Sequence, residues 1–529
     1  MTVAEQVRPT ALPLTMASAA VRALAWCEAR RLLRHPAVLV SLALCLTVWA
    51  YPTASGLTEY PVLHEEDQVL QLELLLPAAG VLLASHMAVV RAAREGTAAW
   101  LATLVLTPAQ RVAAHLLALL PVVALVATLA GIRFCWLALL PGAVSSPSAA
   151  ELATGPALVL ITGALGVLIG TVTRSIAAGP ITLVVLGLVT IAEALFGYMA
   201  SPWRRLDLID SDFGSGDSLP AELMDRPAEL HLLYLLLLTI AFGALALLRS
   251  GHRGRVVSGT AVLALVGVIA TGAAQLRPLP ESVSAARKRA EEAPAALHTC
   301  VRKGVVTYCA FPEFIDRHRQ WSQITDGIVR RVPDSARPEP ITVRQRLAPI
   351  TTPGPGVVVE ARPNRWAEDD RRAGTPGAVS VGTHWGNGSD AADDDVSGYA
   401  TALARRIIEG PSEANGEAVC GGRGILTVWL AGQATKESES AIRSLLVRHY
   451  GMVIGFGGML ETTAVESPDV NLALKLLDRP ADEVGEVVER HWDKLTHPAT
   501  TSAQAARILD VPPPAAIDST EKSIYSCPH

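Results

Sequence analysis

Residues 91–120, RAAREGTAAWLATLVLTPAQRVAAHLLALL, decide how the rest of this chain is read. An apolar run, LLLPAAGVLLASHMAVV (74–90), precedes them and another, VAAHLLALLPVVALVATLAGI (112–132), follows. Between the two sit Arg91, Arg94 and Arg111 with one acid, Glu95. A short arginine-rich link between two membrane-length runs has the character of a cytoplasmic loop. Trp100, Leu101, Leu104, Val105 and Leu106 fall at roughly helical spacing, which predicts a short helix lying at the interface. Thr107-Pro108 predicts an N-cap followed by a first-turn proline for the next helix.

Outward from this link, apolar runs recur at 36–58, 152–173, 175–192, 230–248 and 256–276. Each is close to the roughly 20 residues that cross a ~30 Å hydrocarbon core. The 74–90 run is short, so its span is extended back toward Val69 and takes in Glu73. The count is about seven, with six or eight open because 152–192 is broken only by Arg174 and a turn at Gly179-Pro180. Placing the N-terminus inside puts the arginines before residue 36, those of the 91–111 link, Arg174, Arg249, Arg253 and Arg255 on the cytoplasmic side. Only Arg133, Arg204, Arg205 and Arg226 then face outward, beside the acidic loops EYPVLHEED (59–67) and DLIDSDFGSGD (207–217). After seven spans the remaining half of the chain lies outside the cell.

The order REGT, an apolar stretch, TPAQR and a new span resembles the link between the second and third spans of ABC-2 type transporter permeases. Its matching residues are Arg94, Glu95, Gly96, Thr97, Thr107, Pro108 and Arg111. ALAWCEARRLLRHPAVLVSLAL (23–44) is similar to that family's amphipathic lead-in helix, with its acid, its arginines and a polar break before the first span. The likeness covers about residues 20–250, and LLDRPADEVGEVVERHWDKL (476–495) and VWLAGQATKES (428–438) look like pieces of the extracytoplasmic domains attached to actinobacterial members. The resemblance implies that 94–108 is a coupling segment docking onto a separate ABC ATPase subunit. It also implies a second permease copy, and export rather than uptake.

Composition agrees with a partner carrying the ATPase. The chain has 529 residues, half of them apolar, and no lysine before Lys288, so a Walker A lysine is absent from the first half; no GxxxxGK follows. No basic, aromatic-bearing patch suggests nucleic acid. The expected fold is a multi-pass α-helical membrane bundle with a mainly α (α+β) extracytoplasmic domain. Its parts are a lead-in (1–35), a permease domain (36–276), a linker or stalk (277–299) and the outer domain (300–529).

In the outer half, CVRKGVVTYC (300–309) predicts a hairpin turning at Lys303-Gly304 and closed by Cys300–Cys309. Cys420 and Cys527 then pair, as an even set does in an oxidising space; the alternative is four free thiols in a cytosolic domain. Strands are expected at 341–347 and 356–361, and helices at 399–410, 424–432, 436–449, 470–477 and 480–495, with a glycine-rich break at GFGG (455–458).

The search for chemistry is thin. There is no HExxH, no metal set and no cofactor fingerprint, and the chain reads as a transporter subunit rather than an enzyme. Glu313, Asp316 and His318 read as solvated charges, and Ser218 in GDSL lacks the strand that would precede a nucleophile. Glu193, inside an apolar run, is either a group on a polar path or an acid reaching water at the outer end. Gly163, Gly166 and Gly170 suit close helix packing, within the bundle or between copies. The second reading of function is a membrane-anchored extracytoplasmic interaction or assembly protein that moves nothing.

Overall fold

The computed structural model describes residues 14–54, 60–97, 100, 106–196, 205–207, 209, 218–224, 227–278, 280–337, 340–347, 363–383, 385, 390–411, 418–448, 453–457 and 463–513. The first half is a multi-pass, membrane-embedded helical bundle. Its helices are α1 (Leu14–Leu33), α2 (Pro36–Ala54), α3 (Leu63–Glu73), α4 (Leu75–Arg94), α5 (Pro108–Leu117), α6 (Leu119–Ala138), α7 (Ala149–Val172), α8 (Ala178–Phe196), α9 (Ala228–Arg249) and α10 (Arg255–Gln275). Five segments are long and apolar enough to cross a bilayer: Leu63–Arg94, Pro108–Ala138, Ala149–Val172, Ala228–Arg249 and Arg255–Gln275. A sixth is possible if Ser18–Leu33 and Pro36–Tyr51, bent by 53°, form one span, while Ala178–Ala192 is a shorter apolar helix. The extension of the second run back past Glu73 is found: α3 and α4 together make one candidate span, Leu63–Arg94, and the Trp49 indole donates to the Glu73 carboxylate at 2.6 Å.

Helix α7 runs through the centre of the bundle. Its glycines pack inside the bundle, Gly166 and Gly170 against α4 and Gly163 against Leu119 of α6 as well as Val81 of α4. A Cβ at Gly166 would stand 2.5 Å from the Leu82 carbonyl oxygen, and one at Gly170 would stand 2.7 Å from Val89 Cβ. At this contact the Ser85 hydroxyl donates to the Gly163 carbonyl at 3.0 Å. The outer faces of α8 and α10 expose Ile181, Val184, Leu188, Leu263 and Ile269, as lipid-facing helices do.

The bundle has two distinct ends. At one, Glu28 meets Arg91, His86 Nε2 lies 3.1 Å from the Ser175 carbonyl, and Val112, Val167 and Ala246 cluster. At the other, Val62 and Val144 form a β-bridge, His64 reaches the Leu219 carbonyl, and Arg205 donates to the carbonyls of Gln275 and Arg277.

The C-terminal domain sits on this second end. Helix α11 (Glu281–Glu292) leads into it. A mixed sheet in the order β1-β2-β3-β4 follows, made of β1 (Thr299–Lys303), β2 (Val306–Ala310), β3 (Ile341–Gln345) and β4 (Val379–Val381). The first pair is antiparallel and the other two are parallel. The hairpin turns through Gly304 at φ +62°, a left-handed conformation that suits glycine. Around the sheet lie α12 (His318–Val329), α13 (Pro363–Arg372), α14 (Asp390–Glu409), α15 (Gly421–Gly432), α16 (Lys436–Arg448), α17 (Ser467–Leu477), α18 (Ala481–Arg490), α19 (Trp492–Leu495) and α20 (Ser502–Ile508). Helix α15 is apolar on nearly every face and is accordingly the buried centre of the domain, with Trp429 fully enclosed. The expected glycine-rich break is instead a second small sheet, β5 (Val453–Phe456) paired antiparallel with β6 (Thr463–Glu466). The 356–361 strand expectation lies outside the described residues.

Candidate functional site

Two clusters stand out, one at each end of the bundle. At the first, α4 ends at the residues singled out in REGT. Gly96, at φ +66°, donates its N–H to the Ala93 carbonyl, and Thr97 donates to that of Ala92 at 3.1 Å. This pair of bonds is a Schellman close, and it sets the direction in which the chain leaves the helix. Arg94 and Glu95 are exposed there. On the far side of the link, Thr107 caps α5 as expected. Its hydroxyl accepts the Gln110 N–H at 3.2 Å, the Gln110 side chain accepts the Thr107 N–H at 2.9 Å, and Pro108 fills the first turn. Arg111 lies on that first turn. Residues 98–99 and 101–105, where the interfacial helix was expected, lie outside the described residues; Trp100 is helical and exposed.

Next to this link is a residue that sequence reading passed over. Glu28, on the lead-in helix α1, is buried. It takes Arg31 at 3.1 Å and both terminal nitrogens of Arg91 at 3.4 and 3.2 Å, and His115 lies 4.0 Å away. One carboxylate thus ties the lead-in to the last turn of α4 and to α5. The acid-then-arginines pattern was visible, but not that its charge partner is 63 residues away. A cavity of about 140 Å³ beside it is bordered by His35, Arg91, Arg94, Glu95 and Ile176.

The second cluster joins the bundle to the C-terminal domain. Reciprocal backbone bonds, Leu63 N–H to the Val144 carbonyl and Val144 N–H to the Pro61 carbonyl, hold two bundle loops side by side. They bring Ser145 Oγ to 2.5 Å from His64 Nδ1. The same hydroxyl lies 2.6 Å from Glu313 Oε2 of the C-terminal domain. The far imidazole nitrogen is 2.7 Å from the Leu219 carbonyl, and Glu313 Oε1 accepts the Ala221 N–H at 2.7 Å. Ser145 sits at φ +69°, a left-handed conformation that costs a non-glycine residue about 1 kcal/mol or more. Burial pushes the Glu313 carboxyl above the usual carboxylate range; the Ser145 and Ala221 bonds oppose the shift and the Glu222 charge adds to it.

Apolar side chains seal this junction: Val62, Val144 and Leu219 from the bundle loops pack with Ala290, Phe311, Phe314 and Leu347. Arg317, fully buried, donates to the Tyr60 carbonyl at 3.1 Å and to that of Thr383. Glu313 is therefore not the solvated charge its sequence neighbours suggested, whereas Asp316 is exposed. In a Ser-His-acid nucleophile set the acid orients the imidazole's far nitrogen. Here the acid lies on the serine, and the geometry is that of a hydrogen-bonded chain.

The remaining sequence candidates fall elsewhere. Glu193 lies on the last turn of α8, and its side chain is outside the described residues. Cys300 and Cys309 are cross-strand partners and are disulfide-bonded. Cys420 is also disulfide-bonded, while Cys527 lies outside the described residues. No family model matches this chain, and neither a curated protein nor a solved structure matches it.

Proposed function

We propose that this chain is the permease subunit of an ABC-2 type exporter, working with a separately encoded ATPase and a second permease copy. In this reading it crosses the membrane seven times, with its N-terminus cytoplasmic and its C-terminal domain extracytoplasmic. One observation carries the reading: the link from Arg94 to Thr107 leaves one helix through a Schellman close and enters the next through a capping box. The two capped ends give a partner docked at the link defined points at which to push on α4 and α5. The buried Glu28 carboxylate adds the lead-in helix to the same unit. The alternation of chain turns between the two ends supports the seven-span count, with α2 and α8 as the short crossings. Arginine-bearing turns at the uncovered end support its cytoplasmic placement. Direction and partner class follow from the resemblance alone.

The test is a crosslink scan from residue 95 to 107 against a candidate ATPase, followed by turnover in a Glu95→Arg variant. We expect crosslinks along the link, and a variant that stays folded in the membrane while substrate-stimulated ATP turnover drops several-fold. A link that crosslinks nowhere, with turnover unchanged in the variant, would shift the assignment to a non-transporting anchored protein.

A further inference from the structure

The chain from His64 through Ser145 to Glu313 has a proton count that its geometry fixes. Leu219 offers His64 Nε2 only a carbonyl, so that nitrogen must carry hydrogen. Ala221 offers Glu313 Oε1 only an N–H, so that oxygen must be bare. Between these ends the serine hydroxyl has one hydrogen and points it one way. With one mobile proton every contact is satisfied, in either of two arrangements. In the first, an imidazolium donates to Ser145 and Ser145 donates to a carboxylate. In the second, a protonated Glu313 donates to Ser145 and Ser145 donates to a neutral imidazole.

With no mobile proton only two hydrogens serve three contacts, so one goes without: Nε2 at the Leu219 carbonyl, Nδ1 at the Ser145 oxygen, or the Ser145 oxygen at Glu313 Oε2. With two, a carboxyl O–H must face either the Ser145 hydroxyl or the Ala221 N–H. Each mismatch leaves a polar contact unpaired at a part-buried junction, which costs free energy. We infer that His64, Ser145 and Glu313 form a proton-holding latch that fastens the C-terminal domain to the bundle only while one proton is shared among them.

The surroundings bias this latch without replacing it. Glu222 faces Glu313 from the 221–223 turn. Glu65 and Asp67 flank His64 on α3; Asp67 lies 3.3 Å from the Ser148 N–H, and Glu65 acts on Arg317. Asp316 and Arg317 follow Glu313 on its own segment, and the Phe314 ring meets the imidazole edge-on at 6.2 Å. The acids favour keeping the proton. The sign for Glu313 follows from its raised carboxyl: its share of the fastening is complete below the ordinary carboxylate range and is lost as pH rises through the raised value. The acidic limit comes from the second proton.

The experiment is hydrogen exchange on the full chain in lipid nanodiscs across pH, corrected for intrinsic exchange, read at peptides covering Leu219–Met224 and 142–146. Wild-type protection should peak at intermediate pH and fall several-fold on both sides, while α15 stays protected throughout. In Glu313→Gln the amide oxygen accepts from Ala221 and the amide nitrogen donates to Ser145, so no mobile proton is needed; the alkaline fall should disappear. Ser145→Gly keeps the left-handed backbone but cuts the chain, so protection should be low at every pH. A flat wild-type profile, an alkaline fall retained in Glu313→Gln, or parallel loss of protection in α15 would each overturn the latch. The wild-type profile decides alone if a variant does not fold.

Discussion

Asp370 shows what a single buried carboxylate can hold. It lies 2.8 Å from Arg344 Nε and 2.6 Å from Arg346 Nη2, with all three side chains almost wholly buried between β3 and α13. The Arg346 guanidinium also stacks over Trp366, 5.4 Å from the ring centre. Burial pushes the Asp370 carboxyl up in spite of both guanidiniums, and it lowers Arg346 despite the carboxylate. The cluster as a whole therefore contributes little net stability, which is the usual balance for a buried ion pair. Removing one member is different, because it strands the others. We expect Asp370→Asn to lower domain stability by about 3 kcal/mol, since Asp369 compensates only from 4.0 Å. Denaturant unfolding of the purified chain, followed by tryptophan fluorescence, checks this. A shift below about 1 kcal/mol, the range of exposed ion pairs, would mean that water reaches the cluster.

At the scale of elements, α4 and α7 meet through glycines rather than through interlocked large side chains. Gly166→Ala would place its methyl carbon 2.2 Å from Ser85 Oγ and 2.5 Å from a backbone oxygen, so the helices must part. We expect a loss of about 1–3 kcal/mol, as for other overpacked sites, visible as a lower melting temperature in detergent. Gly187→Ala, where nothing lies within 4 Å, is the control that should leave it unchanged. The elements also show what was legible beforehand. The Thr107 cap and the hairpin at Lys303-Gly304 follow from local spacing, and both are found. Strands β4, β5 and β6 are too short to show a period. The two polar clusters were hidden for a different reason: His64, Ser145 and Glu313 are separated by 81 and 168 residues, and no local pattern joins them.

For the molecule as a whole, the two halves differ in their cysteines. Cys27, Cys45 and Cys135 of the bundle are free, while Cys300, Cys309 and Cys420 are disulfide-bonded. We expect non-reducing peptide mapping to recover Cys300–Cys309 and Cys420–Cys527. Free thiols at these positions would argue against an oxidising location for the C-terminal domain. The junction between the halves also has an order in time. Its bundle side is built from residues near 62, 144 and 219, contributed by three separate turns of the chain, whereas its other side begins only at residue 287 with the Arg287 bond to the Leu223 carbonyl. Synthesis runs from the N-terminus, so the seat is complete before its occupant exists. Until Glu313 and Phe314 emerge, Val62, Val144 and Leu219 are exposed, and His64 and Ser145 lack their carboxylate. A nascent chain halted near residue 280 is thus a finished bundle with an open, sticky crown, the form in which a chaperone or a second unfinished chain has most to grip.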